Sequence, residues 1–318
     1  MLKHEEGSGD AARKVAFAVA CLLPLAFVGL VARYESWFDA FGVGAGRLPG
    51  SGPYAESLRM LWVIASAALT VVIGCLAASA FYVGCRRYIE GTTAPWLPLA
   101  LTILLVAISV VIASDGPPIK RVEGFLLEGV KDTKALPSDS TDREAFGRVV
   151  KWNTRLGAVS IALTIGALIW LSYQALFGAS GERSKTALTK EELNRATSDF
   201  RVLFFMGACV LAVAAFEVAV LAKWSEGIQA SRALATGVGK ESELRALASK
   251  AAVTFGASVA TAFTFLLLLA YTPCYLALAR QHRLNGLDSS PLGKTQVTFG
   301  VLLPLIGALA ASLTQVLL

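Results

Sequence analysis

The sequence predicts an all-α, polytopic membrane protein with seven transmembrane helices, and three observations predict it. Hydrophobic residues make up 55% of the chain and charged residues 16%, where soluble domains carry about 25% charged residues. The remaining charge is segregated, so that long apolar runs alternate with charged connections, the pattern of a chain that crosses a bilayer repeatedly. Lipid offers the backbone no hydrogen-bond partner, so runs of this length satisfy their own amides and carbonyls by coiling into helices.

The first polar stretch, residues 1–14, ends in Arg13-Lys14 before an apolar run over 15–32. No Ala-x-Ala site follows that run, so it reads as an uncleaved signal anchor and the first span. Residues 42–53 hold five glycines with Pro49 and Pro53. A phosphate cradle would need Gly-Lys-Ser/Thr after a strand, and neither is present, so this is a loop. The second span covers 60–85 and is closed by Arg86-Arg87; the third covers 96–114. Beyond Pro117-Pro118, Ile119, Val122, Leu126 and Val130 recur at helical spacing among charges, which predicts a short amphipathic helix.

Residues 136–140 form a turn, and Thr141 with Glu144 makes a capping box that opens a helix running unbroken into the fourth span, 156–177. After a polar linker over 178–187, Thr189 and Glu192 make a second capping box, with Leu188 and Leu193 as its hydrophobic staple. The apolar run 202–222 is the fifth span. It continues as polar helix to a turn at Gly237-Val238-Gly239 and returns through the sixth span, 251–279. Residues 281–294 read as a polar connection, and 297–318 is the seventh span. The arm from 190 to 236 would be about 70 Å long at 1.5 Å per residue, against a hydrocarbon core of about 30 Å. Two helical hairpins, 96–177 and 189–283, are therefore expected to rise beyond the bilayer. The chain reads as one integral membrane domain, 1–318, with extramembrane extensions at 115–153 and 223–250.

Basic residues at the helix ends set the orientation. With the N-terminus in the cytoplasm, Arg13, Lys14, Arg86, Arg87, Arg183, Lys185, Arg201, Arg280 and Arg283 gather on that side in short loops. This predicts a plasma membrane of the bacterial inner type, with the C-terminus outside. The net charge of +6 is accounted for by such anchors facing anionic lipid. No basic stripe or aromatic-studded patch accompanies it, so no nucleic-acid partner is expected.

Glu217 is the one acidic or basic side chain inside the spans so drawn. A carboxylate at that depth costs a few kcal/mol. Val213, Ala214, Val220 and Leu221 on its own helix offer it nothing, and Lys223 faces away. Lys151 and Arg155, at the outer end of the fourth span, are the expected partners. Small residues recur every fourth position at Thr70, Gly74 and Ala78, and again at Ala252, Gly256, Ala260 and Thr264. Such stripes let helices approach closely, within one chain or between subunits. Pro273 frees the carbonyl of Leu269 and predicts a bend.

No catalytic motif is present, and no nucleophile has a base nearby, so no catalytic residue and no enzyme are expected. The two histidines, His4 and His282, lie in polar flanks, so neither a metal site nor a cofactor is expected. The five cysteines lie in or beside apolar runs, as packing residues rather than disulfide partners. The functional expectation is an interaction or assembly subunit, in contact with lipid and with protein subunits or copies of itself. The alternative is a small-solute or ion transporter, or an oligomeric channel, with Glu217 as its intramembrane site.

Overall fold

Helices that must be self-sufficient in lipid leave their packing to side chains, and the contacts between them fix the architecture. A computed structural model of the chain describes residues 53–90, 141–177, 188–235, 241–287 and 290–313, together with Arg33, Ala100, residues 102–104 and Ala107. The described segments are five helices: α1 Pro53–Glu90, α2 Thr141–Phe177, α3 Lys190–Ala235, α4 Glu241–Leu284 and α5 Lys294–Leu313. Each contains a stretch long and apolar enough to cross a membrane, namely Ser57–Arg86, Lys151–Leu176, Lys190–Trp224, Gly256–Leu284 and Lys294–Ala311. These correspond to the second, fourth, fifth, sixth and seventh predicted spans. The first span lies outside the described residues, as do the third span apart from Ala100, residues 102–104 and Ala107, the loop over 42–52, the 119–130 amphipathic segment, the 178–187 linker and the 237–239 turn.

Residues on facing helices give the directions. Along α1 and α3, Trp62 meets Trp224, Ser66 meets Glu217 and Arg86 meets Asp199, so the two run antiparallel. Thr70 pairs with Asn153 and Ile73 with Ser160, so α1 and α2 run parallel. On α4, Tyr271 donates to the Leu203 carbonyl at 2.7 Å and His282 pairs with Thr197, which is antiparallel to α3. Lys223 reaches Ala311 while Phe204 lies against Gly300, so α5 runs parallel to α3. Hence α1, α2 and α4 point one way and α3 and α5 the other, the alternation predicted for even and odd spans. α3 is the hub, packing on α1, α2, α4 and α5.

The middle of the bundle is apolar, with Leu69, Ile73 and Leu76 of α1, Leu168 and Leu171 of α2, Phe200, Leu203 and Phe204 of α3, and Leu267 and Leu278 of α4. Tyr271 stands edge-on to Phe204, with ring centroids 5.4 Å apart. Close approaches rest on small residues: the Gly307 Cα lies against the Ala212 backbone, Gly207 under the Tyr271 ring and Gly166 against Thr102.

The second capping box forms as the sequence predicts. Glu192 accepts from the Thr189 amide and hydroxyl, both at 2.9 Å, and the Thr189 hydroxyl accepts from the Glu192 amide at 3.3 Å. Leu188 and Leu193 are both buried beside it. α2 starts at Thr141 and passes unbroken through Trp152, as its own capping box predicts. α4 continues through Pro273.

The connection predicted over 281–294 is corrected at its start. α4 runs on to Leu284, and Gln281 and His282 are buried. The helix stops at Gly286, which has φ +66°. There the Leu287 amide bonds the His282 carbonyl and the Gly286 amide bonds that of Arg283, a left-handed glycine termination. Hydrophobicity misplaced this boundary because Gln281 and His282 are polar yet have buried partners.

Candidate functional site

At the end of the bundle marked by Trp62, three helices each bring polar side chains to one place. From α1 come Ser66 and Thr70, one helical turn apart on the same face; from α2 comes Asn153; from α3 comes Glu217. The Ser66 hydroxyl donates to Glu217 Oε1 at 2.5 Å, and the Asn153 side chain also hydrogen-bonds Glu217. Asn153 Nδ2 donates to the Ser66 carbonyl at 3.3 Å. The Thr70 hydroxyl lies 2.5 Å from Asn153 Oδ1 and 2.9 Å from the Ser66 carbonyl. Ser66, Thr70 and Asn153 are buried, whereas Glu217 keeps part of its surface open.

The partners of Glu217 are therefore neutral, and this corrects the expectation that Lys151 or Arg155 would pair with it. Both cations are exposed on α2. They stand two residues to either side of Asn153, about 200° around the helix from it, so the face that reaches Glu217 carries the amide instead. Asn153 is a site residue that charge counting missed. The signal for it is an amide on the face that continues into Gly157 and Ser160 of the fourth span.

One turn beyond the cluster, Trp62 and Trp224 stack with ring centroids 5.7 Å apart. Lys223 is buried and turned away from Glu217, its Nζ 3.4 Å from the Ala311 carbonyl in the last turn of α5.

The opposite end has a second polar layer. Arg86 pairs with Asp199 at 3.8 Å. Gln281 accepts from the Leu188 amide at 3.2 Å and donates to the Ala175 carbonyl at 2.5 Å, tying three helices together. Arg201 donates to the Pro291 carbonyl at 2.7 Å. Eighteen residues separate Asp199 from Glu217, about 27 Å along α3, so the two layers are spaced nearly as the faces of a hydrocarbon core are.

The two small-residue stripes behave differently. Gly256 and Ala260 are buried against Ala219 and Ala215 of α3 and Ala308 of α5, and Thr264 donates to the Val301 carbonyl; the side chain of Ala252 lies outside the described residues. On α1 only Thr70 is buried. Gly74 and Ala78 are exposed, and a Cβ added at Gly74 would meet nothing within 4 Å. This half of the stripe does not serve packing among the described residues. Cys75, Cys85, Cys209 and Cys274 are free thiols. No group of three His, Cys, Asp or Glu able to hold a metal occurs among the described residues. No family model, no curated protein and no solved structure matches this chain.

Proposed function

We propose that this protein is a non-catalytic subunit of a membrane assembly, with the α3–α4 hairpin serving as a docking stalk beyond the bilayer. The observation that carries the proposal is length. α3 has 46 residues and α4 has 44, about 69 and 66 Å, while their apolar stretches end at Trp224 and begin at Gly256. A chain that only had to sit in lipid would gain nothing from two further helical stretches past the apolar boundary. In this reading the protein has seven spans in a bacterial-type inner membrane, N-terminus cytoplasmic and C-terminus outside. The parallel course of α1 and α2 supports a crossing between them. Arg86, Arg201, Arg280 and Arg283, all at one end of the bundle, support the orientation. Partners are other subunits or copies of the chain.

The test is the mass of the intact particle in lipid nanodiscs, measured for the full chain and for a variant whose residues 226–249 are replaced by a short Gly/Ser connection. The full chain should exceed the mass of one copy, and the shortened one should fall to it. A single-copy mass for the full chain would overturn the proposal.

A second reading is favoured by the Ser66–Asn153–Glu217 cluster. Here the chain is a small-solute or ion transporter, or an oligomeric channel, using Glu217 as its site. Ion flux into liposomes that is lost in Glu217→Gln would support it, and equal flux in both proteins would sink it.

A further inference from the structure

We infer that Glu217, Ser66, Thr70 and Asn153 form a reversible site for one monovalent cation, a proton or a sodium ion, at the Trp62 end of the bundle. The inference deepens the second reading above and rests on it for its place in function, but it requires only binding.

Charge sets the valence. The site holds one carboxylate, whose hydrogen-bond partners Ser66 and Asn153 are neutral, so a single positive charge balances it. A divalent ion would want further carboxylates, and no cluster of three acidic, His or Cys residues occurs among the described residues. The other donors are hard oxygens, which suit a proton or sodium and not a soft metal. They are the Ser66 hydroxyl and carbonyl, the Thr70 hydroxyl and Asn153 Oδ1, linked to one another within 3.3 Å.

The donors can also change role. A Ser or Thr hydroxyl is one donor with two acceptor lone pairs. Ser66 can hold the carboxylate by donation when the site is empty and turn a lone pair to an arriving cation. Ser66, Thr70 and Asn153 are buried and Glu217 is partly so.

Among the described residues, the charged groups near this level lie as follows. Lys223 of α3 is directed to the Ala311 carbonyl. Arg59 of α1, two turns from Ser66 on the same face, is buried and donates to Met60 Sδ. Lys151 and Arg155 of α2 and Lys250 of α4 are exposed. α5 has no ionisable side chain between Lys294 and its end at Leu313. None of these takes the place of a mobile cation on Glu217. Because α1, α2 and α3 each contribute, occupancy is read by the stability of the bundle.

The experiment is thermal unfolding of the full chain in nanodiscs, with sodium chloride exchanged for choline chloride at constant ionic strength, repeated across the physiological pH range. Wild type and Glu217→Gln are compared. A ligand that binds only the folded state raises Tm, by about 4 °C when it is present at roughly a hundred times its Kd. Wild type should show that dependence and Glu217→Gln should not. Dependence on sodium at fixed pH identifies sodium, and dependence on pH alone identifies the proton. Wild-type and Glu217→Gln curves that stay parallel under both titrations would overturn the inference.

Should Glu217→Gln fail to fold, Ser66→Ala carries the test. It is expected to weaken half-saturation about tenfold through the lost hydrogen bond, and unchanged half-saturation would overturn the inference. Glu217-dependent binding without flux would refute transport and leave the site standing.

Discussion

Gly307→Ala is the sharpest probe of how α3 and α5 meet. A Cβ at Gly307 would fall on the carbonyl of Ala212, within 2.8 Å of its carbonyl carbon and 3.0 Å of its Cα. These are backbone atoms of a neighbouring helix, so no rotamer change relieves the clash and the two axes must separate. Overpacking of this kind costs about 1–3 kcal/mol. Alanine recovers roughly 0.5–1 kcal/mol through its higher helix propensity, leaving a net loss of about 1–2 kcal/mol. Gly74→Ala is the matched control. With nothing within 4 Å of its added methyl, it keeps the propensity gain and meets no clash. Reversible unfolding of both variants in mixed micelles would measure the difference. Equal stability of the two would refute the close parallel packing of α5 on α3, and with it the helix directions that follow from that contact.

Two further losses follow from named hydrogen bonds. Thr189→Ala removes the cap that exchanges hydrogen bonds with Glu192 and should cost about 1 kcal/mol, with amide exchange rising in the first turn of α3 and not in α4. Gln281→Met keeps the side-chain volume but strands the Leu188 amide and the Ala175 carbonyl. It should cost about 2–4 kcal/mol by the same unfolding measurement, and a loss below that of Thr189→Ala would show that water replaces the amide there.

Much of the fold was legible because the relevant forces act along single helices. Apolar length marked every described span, and the Thr189–Glu192 pair fixed the start of α3 to the residue, since a capping box is local chemistry. What could not be read depends on neighbours. Asn153 is unremarkable in sequence and gains its role only because α1 runs parallel to α2 and sets Ser66 and Thr70 beside it. Gln281 and His282 look like loop residues until the ends of α2 and α3 arrive to bond them. The stripes at Gly74 and Gly256 share one pattern, yet among the described residues only the second faces other helices. Spacing reports which residues share a face and is silent on what the face meets.

The placement of polar groups suggests what holds this bundle in register. Lipid is as apolar as the leucines in the core, so burial alone does little to choose one helix pairing over another inside a membrane. Small-residue approaches and interhelical hydrogen bonds have to make that choice. Along α1 and α3 they do so at two levels: Ser66 on Glu217 at one end, Arg86 on Asp199 at the other. Twenty residues separate Ser66 from Arg86, about 30 Å of helix, with a mostly apolar core between them. A shift of α1 against α3 by one turn would break both polar contacts at once. Glu217 therefore sets register even when nothing is bound. Glu217→Gln removes the charge and keeps one acceptor oxygen for the Ser66 hydroxyl, so it separates the holding of the helices from the holding of an ion.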